Sequence, residues 1–375
     1  MLLRQLKLFL LVLVLLLALF SLSNAQSGRV QPTPTPEKDD DPVRILTEEV
    51  KLNVIAFDED GKFVSDVTES DLVITENNIL HQPSSVRRIP ANILIVMDTG
   101  GELRWVKSLD QTRKVARGVV NALKPEDSIA ILQYSDKPEI VAEWTNDRTQ
   151  ILNAIKRTKF GRRSAFVEAL KMATDFLVKN PLENKHLVLI TDGTDSVSAS
   201  SAKGDAMRAI LSTDISVHVI SYTGLEKTDI TPRTKMISKT PPPKAMPDEV
   251  TAQLPNGVRQ TAQAPKIGPT INLDRKLLKT LKARKADLER SEEALTNLAE
   301  NTNGEIIIPE SLDEMVEKTA LVAKMIDASY VVTYTPKIPL GESGQPNERN
   351  IEVTSKRPDL IVQARRKLII DTGNR

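Results

Sequence analysis

The chain has 375 residues, 40% of them hydrophobic and 27% charged, the composition of an ordinary globular protein long enough for two domains or one large one. Aromatic residues make up only 3%, which argues against a surface that stacks nucleic-acid bases, and a formal charge of +1 gives no global attraction to a polyanion. There is no cysteine, so disulfides, thiol chemistry and lipoprotein attachment are excluded.

Arg4 and Lys7 precede an apolar run at 8–20, and Ser23-Asn24-Ala25 follows it with a small-x-small pattern. Residues 1–25 therefore read as a cleaved secretory signal, which places the mature chain in a periplasmic or extracellular setting. An uncleaved anchor is the alternative, but the run is shorter than the roughly 20 apolar residues that a spanning helix needs. Removing the leader leaves 49 basic against 50 acidic residues. Residues 26–42 are proline-rich, polar and acidic and have almost nothing to bury, so a disordered linker is expected.

Residues 43–90 read as a small β module. Val50, Leu52, Val54 and Ala56 recur with period two before the turn Asp58-Glu59-Asp60-Gly61, the pattern of a strand and its exit. Thr68-Glu69-Ser70-Asp71 has capping-box form, and a second short strand follows at 72–75. Then ANILIVMDTGGE at 91–102 changes the pattern: Ile93 to Met97 are uninterruptedly apolar and end on Asp98. Such a run suits a central strand of a parallel sheet covered on both faces, where ligands bind beyond the carboxyl ends of the strands.

A helical stripe is expected over 103–123, then a strand at 128–134, an edge strand at 138–144, a helix capped by Asp147 and a further helix at 164–179. HLVLITD at 186–192 repeats the earlier pattern, ending on Asp192. A helix at 202–212 and a strand at 215–221 continue the alternation, which means βαβ units and a doubly wound, mostly parallel sheet. Residues 224–272 break it with a proline-rich, basic insertion of low hydrophobicity. A long charged helix is expected at 273–301, with leucines at near-heptad spacing and Asn303-Gly304 as its C-cap. A strand at 305–308, a helix at 312–326 and a strand at 329–334 follow. Residues 336–375 hold a final hairpin, with strands at 349–354 and 360–364, and a tail.

His81, His186 and His218 are scattered without a nucleophile motif nearby and read as structural. The sequence carries no phosphate loop, nucleophile elbow or zinc helix, so a non-enzymatic protein is expected. What remains is an all-oxygen constellation of Asp98, Asp192 and hydroxyls at Ser164 and Thr194, which suits hard cations.

The order of these segments, with GRRSAFVEAL at 161–170, ITDG at Asp192-Gly193, LTNLAENTNGEIIIP and YVVTYTP, resembles a von Willebrand factor type A domain, here spanning 91–335. With the leader and VKLNVIAFDEDGKFVSDVTESDLVITENN, the chain resembles the exported A-domain proteins abundant in acidobacteria. The resemblance implies a doubly wound α/β sheet, with an accessory β region from the N-terminal strands and the C-terminal hairpin. It also implies a metal-ion-dependent adhesion site on the top face. The family's Asp-x-Ser-x-Ser positions are Asp98, Gly100 and Glu102 here, its threonine matches Ser164, and its third-loop aspartate matches Asp192.

Asp98, Glu102, Ser164 and Asp192 are thus the candidate ligands for Mg²⁺ or Ca²⁺, and three clustered carboxylates would favour a cation. The competing reading is a decayed site in which the two aspartates only cap their loops. Either way the expected role is recognition of a protein partner at the top face, with no nucleic acid, no small-molecule substrate, and membrane contact only through an uncleaved leader. The alternative is a structural or assembly subunit of the bacterial envelope that uses the long helix and basic insertion, without a functional metal site.

Overall fold

The computed structural model describes residues 49–101, 107–238, 270–271, 274–340 and 348–369, all within the unit Thr47–Arg375. The expected signal, the linker and Glu102 lie outside the described residues. The chain starts with β1 (Val50–Phe57), a 3-10 turn at Glu69–Asp71 closed by the expected capping box, β2 (Leu72–Glu76), β3 (Ile79–His81), β4 (Ser85–Arg87) and β5 (Asn92–Asp98). It continues through α1 (Leu109–Ala122), β6 (Ser128–Tyr134), β7 (Pro138–Thr145), α2 (Arg148–Arg157), α3 (Phe166–Lys179), β8 (Lys185–Thr191), α4 (Ser200–Leu211) and β9 (Ser216–Ser221). Then come α5 (Thr223–Arg233), β10 (Ile237–Ser238), β11 (Thr270–Ile271), α6 (Arg275–Asn301), β12 (Ile306–Ile307), α7 (Leu312–Glu317) and α8 (Thr319–Asp327). β13 (Ser329–Tyr334), β14 (Glu348–Ser355), β15 (Ile361–Ala364) and β16 (Lys367–Ile369) end it.

The central sheet has six strands in the order β12-β9-β8-β5-β6-β7. All neighbours are parallel except the edge pair β6–β7. β5 is the middle of this sheet, and its alternating side chains feed two cores. Ile93, Ile95 and Met97 pack with Val115 and Val119 of α1, Ile151 of α2 and Val322 of α8. Leu94 and Val96 pack with Phe166 and Leu170 of α3, Ile210 of α4 and Leu295 of α6. Helices on both faces account for an uninterrupted apolar strand. Because β5 and β8 run in parallel, with Met97 opposite Ile190, Asp98 and Asp192 emerge side by side at the same end.

Outside this sheet lie two four-stranded antiparallel sheets, β15-β1-β13-β4 and β16-β14-β2-β3, which share one apolar core. Leu52, Val54, Leu72, Ile74, Val332, Ile351 and Val353 fill it. The N-terminal strands are therefore not a module by themselves: β1 pairs with β13 and β2 with β14. Two expectations are corrected here. β13 belongs to the accessory sheet rather than to the central one, and β14 and β15 do not form a hairpin. β14 pairs with β2 and β16, whereas β15 pairs with β1, because the chain crosses between sheets at 356–360. The link to the central sheet is polar, with Asn53 donating to Ser216 Oγ at 3.0 Å and Asn303 donating to the Asn53 carbonyl at 2.9 Å.

Two boundaries also move. The helix expected from 103 starts at Leu109, where Ser108 accepts from the Gln111 N–H as its N-cap. The insertion expected from 224 begins with ordered structure, since Leu225 and Ile230 bury their side chains and Pro232 falls in the last turn of α5, where the helix bond it removes interrupts no following turn.

The histidines are internal. The Glu305 N–H donates to His218 Nδ1, so His218 Nε2–H faces His186 Nδ1 at 3.1 Å and His186 Nε2–H faces Asn184 Oδ1 at 2.9 Å. Burial holds both rings below the usual histidine range, His218 at about 4, and keeps the pair neutral. His81 Nδ1 donates to the Ile79 carbonyl at 2.8 Å, and its Nε2 accepts from the Lys337 N–H at 3.0 Å.

Candidate top-face site

At the end of β5 the Asp98 side chain is completely buried, and at the end of β8 Asp192 is 2% exposed. Two buried carboxylates on adjacent strands require a counter-charge. Lys107 supplies it. This side chain is 1% exposed, and its Nζ lies 2.5 Å from Asp98 Oδ2 and 3.0 Å from Asp192 Oδ2. The same ammonium stands 5.6 Å from the centre of the Tyr222 ring, within reach of a cation–π contribution.

A second cation reaches the site from the long helix. Arg284 of α6 donates through Nη2 to Asp192 Oδ2 at 3.2 Å and to Glu226 Oε2 of α5 at 2.7 Å, and through Nη1 to Thr194 Oγ1 at 2.6 Å. The other oxygen of Asp192 accepts from Thr194, from its N–H at 2.8 Å and its hydroxyl at 2.6 Å. Burial by itself would push the Asp192 carboxyl up, but Lys107, Arg284 and the Thr194 hydrogen bonds outweigh it and hold the group well below the usual carboxylate range. Glu226 goes the other way: burial, reinforced by the Asp192 charge, lifts it to about 7 against the pull of Arg284 and Lys107. Near neutral pH the network is therefore close to charge balance.

The loop after β8 is built to hold Asp192 in place. Gly193 adopts φ +67°, and a Cβ there would lie 2.7 Å from Leu295 of α6, so a side chain at this position is strained by the backbone and crowds Leu295. Its carbonyl accepts from Lys203 at 2.6 Å and from Ser291 at 3.1 Å, which ties the loop to α4 and α6. Asp195 Oδ2 accepts from the Val167 N–H at 2.7 Å and so anchors the first turn of α3.

Of the sequence-derived ligands, the structure brings together Asp98 and Asp192. Ser164 lines the same cleft, but its hydroxyl donates to the Thr194 carbonyl at 3.0 Å. Among the described residues the donor set does not fit a divalent cation. The space between the two carboxylates is filled by an ammonium, and both oxygens of Asp192 already accept hydrogen bonds. Gly100, at one of the family's serine positions, has no room for a side chain, because a Cβ would overlap the Arg163 carbonyl oxygen and lie 2.7 Å from Ser135 Cα. Among the described residues no group of three or more histidine or carboxylate side chains converges as metal ligands would. Lys107, Glu226 and Arg284 were missed from sequence.

Residues 93–194 match the von Willebrand factor type A domain, and the chain carries that domain, with its mostly parallel sheet extended by antiparallel sheets from the N- and C-terminal regions. Among solved structures, a von Willebrand factor type A protein from Catenulispora acidiphila shares 11% identity at a TM-score of 0.42, covering 82% of this chain and 74% of that one. BatB from Bacteroides thetaiotaomicron shares 15% identity at a TM-score of 0.38, covering 63% of this chain and 98% of its own. The manganese-loaded TRAP protein of Plasmodium vivax shares 9% identity at a TM-score of 0.37, covering 78% of this chain and 97% of its own. No curated protein matches the chain.

Proposed function

We propose that the protein is an exported, non-enzymatic recognition module that grips a protein partner at the carboxyl ends of β5 and β8, without help from a divalent cation. The observation that carries this reading is the cleft itself. It holds about 160 Å³ and is lined by Lys107, Ser164, Asp192, Thr194, Glu226 and Arg284, with the exposed Asp287 at its edge. Small-molecule sites usually enclose about 300–1,000 Å³, so this one accommodates a single side chain of a partner rather than a substrate. Asp98 and Asp192 are paired with internal cations, which suits a rigid recognition surface. The family supports the same conclusion, since von Willebrand factor type A domains commonly mediate protein–protein contacts.

Capture from a bacterial envelope extract by the immobilised chain tests this. The expected result is a partner retained equally with and without chelator and lost with Asp287→Arg, which reverses a charge at the cleft without touching the buried network. Capture that ignores Asp287→Arg but disappears when residues 239–269 are deleted would instead favour the envelope-assembly reading. The deletion starts beyond α5 because Glu226 must stay.

A further inference from the structure

We infer that Lys107 is the resident cation of the top face, a tethered stand-in for a divalent ion, and that cutting its side chain back to Cβ turns the Asp98–Asp192 pair into a site for a hard divalent cation such as Mg²⁺ or Mn²⁺. The ammonium is held by one oxygen from each of two neighbouring strand ends, at 2.5 and 3.0 Å, with almost no solvent access. It occupies the point between the carboxylates that an ion bridging them would need. Being part of the chain, it is present at a high effective concentration in every folded molecule, and no chelator removes it. It also excludes the alternative, because a divalent ion between the same two oxygens would sit against a like charge in a buried setting, where repulsion is weakly screened.

Removing the ammonium reverses that balance. The two buried carboxylates then lose the ammonium they share, the volume of a lysine side chain opens beside them, and their mutual repulsion favours a cation that enters. Gly100 contributes no hydroxyl, so water must complete the coordination. One or two carboxylates with several waters is the arrangement magnesium ordinarily takes. Arg284 remains 3.2 Å from Asp192 Oδ2, which makes the uncovered site a weak one.

The test uses the wild-type chain and its Asp98→Asn, Lys107→Ala and Lys107→Ala/Asp98→Asn variants. Bound manganese is read by loss of the free-ion electron paramagnetic resonance signal, and stability by the thermal midpoint over a MnCl₂ series. The wild type should bind no manganese and keep its midpoint. Lys107→Ala should bind one ion and gain stability with metal concentration, as mass action requires, and Asp98→Asn should weaken that binding by about ten-fold or more. If Lys107→Ala is unfolded without metal, recovery of its circular dichroism on refolding in manganese gives the same reading. Manganese binding by the wild type that Asp98→Asn abolishes would overturn the inference, as would a Lys107→Ala protein that neither binds nor is stabilised or refolded. Partner capture plays no part in these readouts, so the recognition proposal and this one fail separately.

Discussion

Asp192→Ala is expected to destabilise the protein by about 3–5 kcal/mol, the usual cost of removing one partner from a buried ion pair. The substitution strips Lys107 of one of its two acceptors and Arg284 of a carboxylate oxygen, while both cations stay inside the fold. It also frees the Thr194 N–H and hydroxyl, each of which donates to Asp192 Oδ1, and unsatisfied buried donors cost about 1–3 kcal/mol each. Urea unfolding followed by circular dichroism measures the loss, with the exposed Asp205 changed to alanine as the control and expected to stay within about 0.5 kcal/mol of wild type. The pH dependence has a definite sign. The Asp192 carboxyl is held below its ordinary value of 3.8 in the folded state, so its stabilisation is fully present above that value and is lost as pH falls through the lowered folded value. The gap between wild type and Asp192→Ala should be widest at neutral pH and shrink only in strong acid.

Arg349→Met is expected to cost a similar amount, about 3–5 kcal/mol, at the far end of the molecule. Arg349 of β14 is 3% exposed and its Nη1 lies 2.5 Å from Glu76 Oε1 of β2. The same guanidinium donates to the Ile338 carbonyl at 2.8 Å and the Pro339 carbonyl at 2.7 Å. Methionine matches much of the volume but leaves Glu76 charged within the accessory core, together with two carbonyls that have lost a donor. Replacing both partners by apolar residues, Arg349→Met with Glu76→Leu, should recover a large part of the loss, because the isolated charge is the main penalty. A double variant no more stable than Arg349→Met would show that the carbonyl contacts matter more than the ion pair.

The central sheet was legible in the sequence because β5 and β8 are buried on both faces and show it as unbroken apolar runs, each ending on an aspartate. Periodicity and caps likewise located α2, α3 and α6. The accessory region was harder to read. β14 has the alternation of a half-exposed strand, but its partner β2 lies far away in sequence, with Ile351 opposite Glu76, and alternation says nothing about which strand is the neighbour. The nearby β15 made a hairpin the natural expectation, although its own partner is β1.

The site followed the same division. Asp98 and Asp192 could be paired from strand grammar alone, since parallel neighbours deliver their carboxyl-terminal residues to one end. Their counter-ions could not, for Lys107 belongs to no motif, and Arg284 comes from a helix 92 residues after Asp192. One signal was available. Two carboxylates at the ends of fully buried strands demand compensation, and the loss of the serine at Gly100 made a protein cation the natural candidate.

The most direct measurement is an anomalous difference map from crystals of the full-length wild-type chain grown in manganese. Side-chain density for Lys107 should run between Asp98 and Asp192, with no anomalous peak there. A manganese peak bridging the two carboxylates, with the lysine displaced, would contradict the assignment of Lys107 as the cation of this face.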